Sequence, residues 1–323
     1  MTTHRLGRNG PEISRIGLGT WAIGGSGWKF AWGPQDDEDS ISVIHEAIDA
    51  GMTWIDTAAV YGLGHSEEVV GRAVKDRRNK VMLFTKCSRR PRGDDIVSVL
   101  DAASIREELE ASLKRLQTDH IDLYQIHWPN PEPQIEEAWN EITRAVKAGK
   151  VRYAGVSNFT PDQMKRLEPI HPITSLQPPY SMLRRGIENE ILPFCGAHGI
   201  GVICYSPLQM GLLTGTFSRE RVAGLPPDDL RGRNEYFSEP ALTRNLKLVD
   251  RLRPIASRNG RTVGELALAW VLSHPEVTGV IVGGRRPGQA RELAGAADWT
   301  LSEQDLKDIN GAIAEREAHL SET

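Results

Sequence analysis

The sequence predicts one α/β domain over residues 1–323, folded as a (β/α)8 TIM barrel with an amino-terminal β-hairpin and long carboxyl-terminal-face loops. Eight short apolar segments with strand patterning alternate with amphipathic helical segments along the chain. Such alternation favours a parallel sheet, and barrels of this kind commonly exceed about 250 residues in one domain. No internal repeat or change in composition indicates a second domain.

The chain begins with a predicted β-hairpin that covers the closed end of the barrel, because Asn9-Gly10 is a strong hairpin-turn signal. The barrel strands follow as short runs rich in β-branched and aromatic residues. They centre on Ile16–Gly19, Thr53–Ile55, Val81–Thr85, Ile121–Ile126, Arg152–Val156, Thr174–Leu176, Gly201–Cys204 and Gly279–Val282.

Helices are predicted between the strands from apolar spacing and capping residues. Ser66 is expected to cap the second helix and Thr160 the fifth, because a side-chain hydroxyl can accept a hydrogen bond from the first helical turn. The predicted helices are Asp37–Ala50, Ser66–Ala73, Ser104–Leu116, Ile135–Lys147, Pro161–Leu167, Asn189–His198, Thr243–Arg258, Val263–Ser273, Pro287–Gly295 and Ser302–Ala318. The long segment Ser206–Pro240 is expected to be an irregular, functional loop that closes over the barrel face.

Composition and charge exclude several functional classes. The net charge of −4 argues against a general nucleic-acid-binding protein. No apolar run is long enough to span a membrane, and no apolar signal segment opens the chain. The only cysteines are Cys87, Cys195 and Cys204, without a CxxC pair, so we expect a reducing, cytoplasmic location. No metal is expected, because HExxH is absent and the histidines lack ligand spacing.

Four polar residues lie where predicted strands end. Asp56, Lys86 and His127 follow the second, third and fourth strands, and Tyr61 lies in the loop after Asp56. In a parallel barrel these side chains converge at the carboxyl-terminal rim, where barrel enzymes place their chemistry. A phenol, an ammonium, a carboxylate and an imidazole together form a proton-donating site for a carbonyl.

These residue types suit the reduction of a carbonyl by hydride, in which the carbonyl oxygen takes up a proton. A free phenol has a pKa of about 10, and a nearby ammonium lowers it. We therefore expect Lys86 to lower the pKa of the general acid Tyr61 and Asp56 to hold Lys86 charged. His127, in its neutral form, is expected to hydrogen-bond the substrate oxygen.

Aromatic residues mark the expected substrate pocket. Trp28, Phe30 and Trp32 crowd the loop after the first strand, and Trp128 follows His127. A loop exposed only to solvent seldom carries three large aromatic side chains, so these residues are expected to wall an apolar pocket. The alternative is that they only pack the loop onto the rim of the barrel.

The motifs of the chain resemble the aldo-keto reductase signature in consistent order over nearly its whole length. They are Asp56-Thr57-Ala58-Ala59-Val60-Tyr61-Gly62, Phe84-Thr85-Lys86, Asp122-Leu123-Tyr124-Gln125-Ile126-His127-Trp128-Pro129, Gly155-Val156-Ser157-Asn158-Phe159, Tyr205-Ser206-Pro207-Leu208, Gly211-Leu212-Leu213-Thr214-Gly215 and Ile281-Val282-Gly283-Gly284-Arg285. The resemblance is nearest to the bacterial and plant branch related to potassium-channel β-subunits.

The resemblance implies an NADP(H)-dependent oxidoreductase that reduces the carbonyl of an aldehyde or ketone, reversibly, on a small-molecule substrate. It assigns the same roles to Tyr61, Lys86, Asp56 and His127 as the chemistry does. The cofactor-binding residues that it implies are Thr20, Trp21, Ser157, Asn158, Gln177, Tyr205, Ser206, Pro207, Leu208, Gly211, Gly283, Arg285, Gln289 and Glu292.

Within that set the resemblance places the carboxamide of the nicotinamide on Ser157, Asn158 and Gln177 and its ring on Tyr205. It places the pyrophosphate along Ser206, Leu208 and Gly211. It also places Arg285 at the adenosine 2′-phosphate. Three arginines near one helix start suit that extra phosphate, so we expect NADPH rather than NADH. A solvated basic surface is the alternative.

Two other functions remain open from the sequence. The resemblance to channel β-subunits allows a cofactor-binding regulatory subunit without significant turnover. A lysine at a barrel strand end can also form a Schiff base, so a lyase that uses Lys86 is a further alternative. The sequence leaves the physiological substrate, the preferred direction and the oligomeric state open.

Overall fold

The computed structural model describes residues 1–93 and 95–318, which form a closed barrel of eight parallel strands. The strands are β1 (Thr3–Arg5), β2 (Glu12–Ser14), β3 (Ile16–Gly19), β4 (Trp54–Asp56), β5 (Met82–Cys87), β6 (Arg89–Arg92), β7 (Asp95–Ser98), β8 (Ile121–Ile126), β9 (Val151–Ser157), β10 (Ser175–Gln177), β11 (Gly201–Cys204) and β12 (Val277–Gly283). Around the barrel their order is β10-β11-β12-β3-β4-β5-β8-β9, and every neighbouring pair in it is parallel.

Helices alternate with the barrel strands and pack their apolar faces against them. They are α1 (Asp37–Asp49), α2 (His65–Val74), α3 (Ala102–Arg115), α4 (Ile135–Lys147), α5 (Pro161–Leu167), α6 (Ile191–His198), α7 (Arg219–Ala223), α8 (Ala241–Arg258), α9 (Val263–Leu272), α10 (Gln289–Ala294) and α11 (Glu303–Ala318). The predicted (β/α)8 barrel is confirmed, because all eight predicted strands are present within two residues of their predicted ends.

Capping predictions fared differently at two helices. Thr160 caps α5 as predicted, and Gln163 completes a reciprocal capping box with it. The prediction for Ser66 is wrong, because α2 begins at His65 and the buried Ser66 hydroxyl instead donates to the carbonyl oxygen of Thr20 at 3.0 Å. A serine before two glutamates predicts a helix cap from sequence alone, whereas here it joins the first turn of α2 to the loop after β3.

The amino-terminal hairpin closes the bottom of the barrel. Strands β1 and β2 pair antiparallel, as predicted from the turn signal. Leu6 and Ile13 from this hairpin are fully buried, in one apolar cluster with residues of the barrel strands. The strand residues of that cluster are Trp54, Phe84, Leu123, Ile203 and Ile281. The barrel is therefore filled by side chains and open to ligands only at its other end.

Gly17 makes room for the largest side chain inside the barrel. A Cβ atom at this position would lie 2.2 Å from the Trp54 indole, so a side chain at position 17 would force the ring to move. The indole nitrogen of Trp54 donates to the Ser14 carbonyl at 2.8 Å, which fixes the ring in the space that the glycine leaves.

A second hairpin, absent from the predicted elements, rises from the barrel face after β5. Strands β6 and β7 pair antiparallel, with Arg89 opposite Ser98. Ser88 turns the chain out of the barrel strand with a φ of 82°. The arginines and proline of β6 conceal its strand character in the sequence. The loop predicted as irregular, Ser206–Pro240, contains the short helix α7 and three 3-10 turns.

Among the helices of residues 1–93 and 95–318, none combines the length and the apolar character that a membrane crossing requires. Cys87, Cys195 and Cys204 are buried and carry free thiols.

Candidate active site

A cleft of about 1390 Å³ opens at the carboxyl-terminal end of the barrel strands. Its walls include Asp56, Tyr61 and His127, and Lys86 lies buried directly behind them. The four aromatic residues predicted to bind substrate also line it, and so do all the residues predicted to bind cofactor. The structure thus brings together side chains that lie far apart in the sequence.

Lys86 and Asp56 form a buried ion pair beneath the Tyr61 ring. The Lys86 Nζ donates to Asp56 Oδ1 at 2.5 Å and to the Thr57 carbonyl oxygen at 2.9 Å. The same nitrogen lies 3.5 Å from the Tyr61 hydroxyl oxygen. Asp56 is the last residue of β4 and Lys86 the last but one of β5, and these strands are parallel neighbours in the barrel.

Two amides hold the second oxygen of the Asp56 carboxylate. Gln177 Nε2 donates to Asp56 Oδ2 at 2.8 Å, and Gln125 Nε2 reaches the same oxygen at 3.4 Å. A buried charge needs such partners, because burying it without them is costly. Gln125 was missed by the sequence analysis. Its signal in the sequence was an amide side chain near the end of a predicted strand, two residues before His127.

The Tyr61 phenol remains protonated in this arrangement. Burial raises the pKa of Tyr61 well above its ordinary value, and the nearby Asp56 carboxylate raises it further. The pKa of this phenol therefore lies above that of a free tyrosine, and the lowering by Lys86 that the sequence led us to expect stays a prediction. Burial also lowers the pKa of Lys86.

Tyr61 is placed by a close contact between two loops. Gly62, with a φ of 59°, packs so tightly on the loop after β3 that a Cβ there would lie 2.2 Å from the Gly24 carbonyl oxygen. Glycine is the residue that accepts both this φ and this approach. The Trp21 ring stacks on Tyr61 at 6.2 Å between centroids. Trp21 therefore lies beside the phenol, although it was predicted with the cofactor residues.

His127 faces Tyr61 as a neutral imidazole. Its ring lies edge-on to the Tyr61 ring at 5.8 Å between centroids. Burial lowers the pKa of His127 well below its ordinary value, and the cations of Lys86 and Arg89 lower it further. Its Nδ1 atom has no hydrogen-bond partner within the described residues. A neutral imidazole can donate one hydrogen bond to an oxygen placed between the two rings.

The residues predicted to hold the nicotinamide form one hydrogen-bonded set. Tyr205 donates its hydroxyl to Asn158 Oδ1 at 2.9 Å, and Asn158 Nδ2 donates to the Ser157 hydroxyl and to the His127 carbonyl oxygen, each at 3.0 Å. Ser157 in turn donates to the Gln177 carbonyl oxygen at 2.8 Å. The set is therefore preorganised beside the catalytic cluster, at the ends of β9, β10 and β11.

The segment after β11 follows the cleft wall in a series of tight turns. Ser206, Gln209 and Met210 all adopt positive φ, a conformation that is uncommon for residues other than glycine. The amides of Gln209 and Gly211 bond to carbonyl oxygens within the turn. This wall leads from the predicted nicotinamide end to the predicted adenine end of the cleft.

Arg285 lies at the far end of the cleft from Tyr61. Its Nε donates to Gln35 Oε1 at 3.0 Å and its Nη2 to the Pro34 carbonyl oxygen at 2.6 Å. Gln289 accepts the backbone amides of Arg285 and Arg286, at 2.7 and 3.1 Å, and so orders the turn before α10. Burial lowers the pKa of Arg285, and the neighbouring cation of Arg231 contributes.

The aromatic residues form one side of the cleft near Tyr61. Trp28 packs on Phe30 and on Tyr61, with ring centroids 5.9 and 6.2 Å apart. The Arg231 guanidinium covers Trp32, 4.8 Å from its centroid. Trp128 stays 40% exposed at the rim. Among the described residues no group of three or more histidine, cysteine, aspartate or glutamate side chains is arranged to hold a metal.

The closed eight-stranded barrel with this cleft at its carboxyl-terminal end belongs to the class of (β/α)8-barrel enzymes. The profile of the Aldo/keto reductase family matches residues 15–314. The chain therefore belongs to the aldo/keto reductase family, whose members are oxidoreductases, and the resemblance seen in its motifs is confirmed.

Relatives with different names are similar to this chain over nearly its whole length. Aldo-keto reductase YhdN of Bacillus subtilis is 42% identical over 93% of this chain and 90% of its own length. The NADH-specific methylglyoxal reductase of Escherichia coli is 36% identical over 93% of this chain and 94% of its own length. The solved structure of the glycerol dehydrogenase AKR11B4 from Gluconobacter oxydans covers 98% of this chain and 95% of its own, with 38% identity and a TM-score of 0.88.

Proposed function

We propose that the protein is an NADP(H)-dependent reductase of aldehydes or ketones, in which Tyr61 is the general acid. The observation that carries the proposal is the phenol of Tyr61 held beside a buried Lys86–Asp56 pair and a neutral His127 at the floor of the cleft. This set can deliver a proton to a carbonyl oxygen without placing a net charge beside the substrate. The reaction runs in reverse as alcohol oxidation.

The cleft fits a nicotinamide dinucleotide. Its volume of about 1390 Å³ is larger than that of most small-molecule sites, which span roughly 300–1,000 Å³. Amide and hydroxyl groups of Ser157, Asn158 and Gln177 lie at one end, which suits a carboxamide, and arginines lie at the other, which suits phosphate. The bound dinucleotide supplies the hydride, and the residues of the chain supply position and proton.

The proton path follows from the contacts of the cluster. His127 donates a hydrogen bond to the substrate carbonyl and holds it against the Tyr61 hydroxyl. As negative charge develops on that oxygen, Tyr61 releases its proton to it. The Lys86 ammonium, 3.5 Å from the phenol oxygen, then stabilises the phenolate that remains. Asp56 keeps Lys86 charged and directed at that oxygen, and the aromatic wall excludes water.

The contacts of Lys86 weigh against the Schiff-base alternative. A lysine that forms a Schiff base must present a neutral amine to the substrate. Here the Lys86 nitrogen donates to Asp56 and to the Thr57 carbonyl, and its side chain is fully buried behind Tyr61. Measurable carbonyl turnover would separate the reductase from a regulatory subunit that only binds cofactor.

The preference for NADP(H) rests on the arginines at the far end of the cleft. Arg285, Arg286 and Arg231 all line that end, and among the described residues only Arg231 of these three makes a bidentate contact with a carboxylate, that of Asp229. The Escherichia coli relative is named as NADH-specific. Another relative, from Schizosaccharomyces pombe and 32% identical, is named with NADP(+), so the local charge at this end is what we expect to decide between the two cofactors.

The test is an assay of cofactor oxidation with aldehydes and ketones, run with NADPH and NADH on the wild-type protein and on Arg285→Ala. We expect Arg285→Ala to weaken NADPH binding roughly 10- to 150-fold, the value of one charge-assisted contact of about 1.5–3 kcal/mol, with a much smaller effect on NADH. Arg291→Ala, an exposed arginine of α10 that does not line the cleft, is the matched control. Equal weakening of both cofactors would contradict the 2′-phosphate role.

A further inference from the structure

Arg89 is a cation at the substrate side of the cleft that the proposed reaction does not use. It opens β6, three residues after Lys86, and its side chain lines the same cleft as Tyr61 and His127. It lies close enough to His127 for its charge to help lower the pKa of that imidazole. A permanent positive charge in a half-buried site next to reacting groups needs a reason, because its desolvation is costly.

Arg89 lies away from the phosphates that the proposed cofactor would carry. It follows β5, whereas the turns expected to hold the pyrophosphate follow β11. In the barrel order β10-β11-β12-β3-β4-β5-β8-β9 these two strands are four positions apart, and therefore diametrically opposite. The charge of Arg89 thus faces the substrate region and not the dinucleotide.

Arg89 has an open hydrogen-bonding capacity. Its Nη1 donates to the Ser98 hydroxyl at 3.0 Å, and among the described residues no carboxylate lies within ion-pair distance of its guanidinium. In the described part of the chain, the one carboxylate that affects the pKa of Arg89 is that of Asp95, and it is itself bound to Lys29 at 2.7 Å. A guanidinium has five N–H donors, so several remain for a ligand.

The neighbouring arginine on the same strand shows the difference. Strand residues alternate in direction, so Arg90 points to the opposite face of β6 from Arg89. The Arg90 guanidinium donates to the Ser104 hydroxyl at 3.0 Å and pairs with the Glu107 carboxylate at 3.1 Å. Arg90 thus has its charge paired with a carboxylate outside the cleft, whereas Arg89 presents its charge to the cleft.

We propose that Arg89 binds an anionic group of the substrate, and that the enzyme acts on short aldehydes that carry a carboxylate or a phosphate monoester. This proposal rests on the proposed reductase function and specifies its substrate class. The carbonyl is held by Tyr61 and His127, while the anionic end accepts hydrogen bonds from the Arg89 guanidinium. A carboxylate and a phosphate each present two oxygen atoms that one guanidinium can bind with two parallel hydrogen bonds.

The test compares matched substrates with the full-length protein and its cofactor. Succinic semialdehyde is paired with pentanal, and glyceraldehyde 3-phosphate with glyceraldehyde. In Arg89→Gln we expect kcat/KM for the anionic member of at least one pair to fall roughly 10- to 100-fold, mainly through KM, the value of a charge-assisted contact. The uncharged members should change by less than about 3-fold, because they make no such contact. Arg89→Lys should recover part of the loss.

Arg90→Gln is the matched control and should leave both members of each pair unchanged. A fall limited to the carboxylate pair or to the phosphate pair supports the proposal and identifies the anion. An equal fall for charged and uncharged substrates in Arg89→Gln, or no selective fall in either pair, overturns it.

A binding measurement separates this proposal from the reductase function. Tryptophan fluorescence is titrated with succinate and with inorganic phosphate in the wild-type protein, Arg89→Gln and Arg90→Gln. We expect the dissociation constant of at least one anion to rise roughly 10-fold or more in Arg89→Gln alone. If no carbonyl is reduced by any of these proteins, the reductase function fails, and this titration still decides the role of Arg89.

Discussion

Replacing Tyr61 with phenylalanine is expected to lower kcat for carbonyl reduction by at least ~100-fold, because a positioned general acid contributes roughly 100- to 10,000-fold. The substitution removes the proton and keeps the ring, so the stacking on Trp21 and the edge contact with His127 are retained. Steady-state kinetics with NADPH and an aldehyde that the wild-type protein reduces give the comparison.

Binding of the cofactor supplies the control for Tyr61→Phe. The groups proposed to hold the dinucleotide bond to one another rather than to the Tyr61 hydroxyl. The dissociation constant of NADPH should therefore change by less than about 3-fold, since no contact of the cofactor is removed. A variant that turns over within a few-fold of the wild type would show that the proton comes from another group, and the mechanism would have to be abandoned.

Replacing Glu108 with glutamine is expected to make the stability of the protein less dependent on pH. Glu108 lies on α3, 6% exposed, with one oxygen accepting the Ser88 amide at 3.1 Å. Its other oxygen has no partner within the described part of the chain. Burial raises the pKa of Glu108 from 4.5 to about 7, although Arg90 and Arg115 oppose the shift and Glu67 adds to it.

The direction follows from proton binding. Between about pH 4.5 and 7 the unfolded chain has released this proton and the folded chain still holds it, so stability falls as the pH rises. Below that range both states are protonated, and above it the full loss of roughly 3 kcal/mol is present. Glutamine cannot ionise, so the variant escapes this loss. The difference in unfolding free energy, variant minus wild type, should therefore increase by up to roughly 3 kcal/mol from pH 5 to pH 8.

Chemical denaturation at several pH values measures this difference. Glu107→Gln is the matched control, because Glu107 is the preceding residue on α3 and its exposed pair with Arg90 contributes only about 0–1 kcal/mol. The difference in unfolding free energy between Glu107→Gln and the wild type should stay nearly constant over the same pH range. A constant difference for Glu108→Gln as well would mean that the buried carboxyl does not retain its proton in the folded state.

The sequence by itself determined the type of fold and the chemical groups of the site. Each strand–helix unit carries its own local signals, and parallel strands of a barrel end at one face. For this reason Asp56, Lys86 and His127 could be placed together from their positions after strands, before any contact was known. The assignments of particular roles to these residues remain predictions until the variants are measured.

Tertiary structure alone decided the partners of those groups and their protonation. Gln125 and Gln177 reach Asp56 from β8 and β10, and that contact depends on the curvature of the closed barrel rather than on spacing along the chain. The pKa of Tyr61 lies above that of a free tyrosine, because burial and the nearby Asp56 carboxylate raise it. These quantities depend on how segments far apart in the sequence pack together, so no local pattern encodes them.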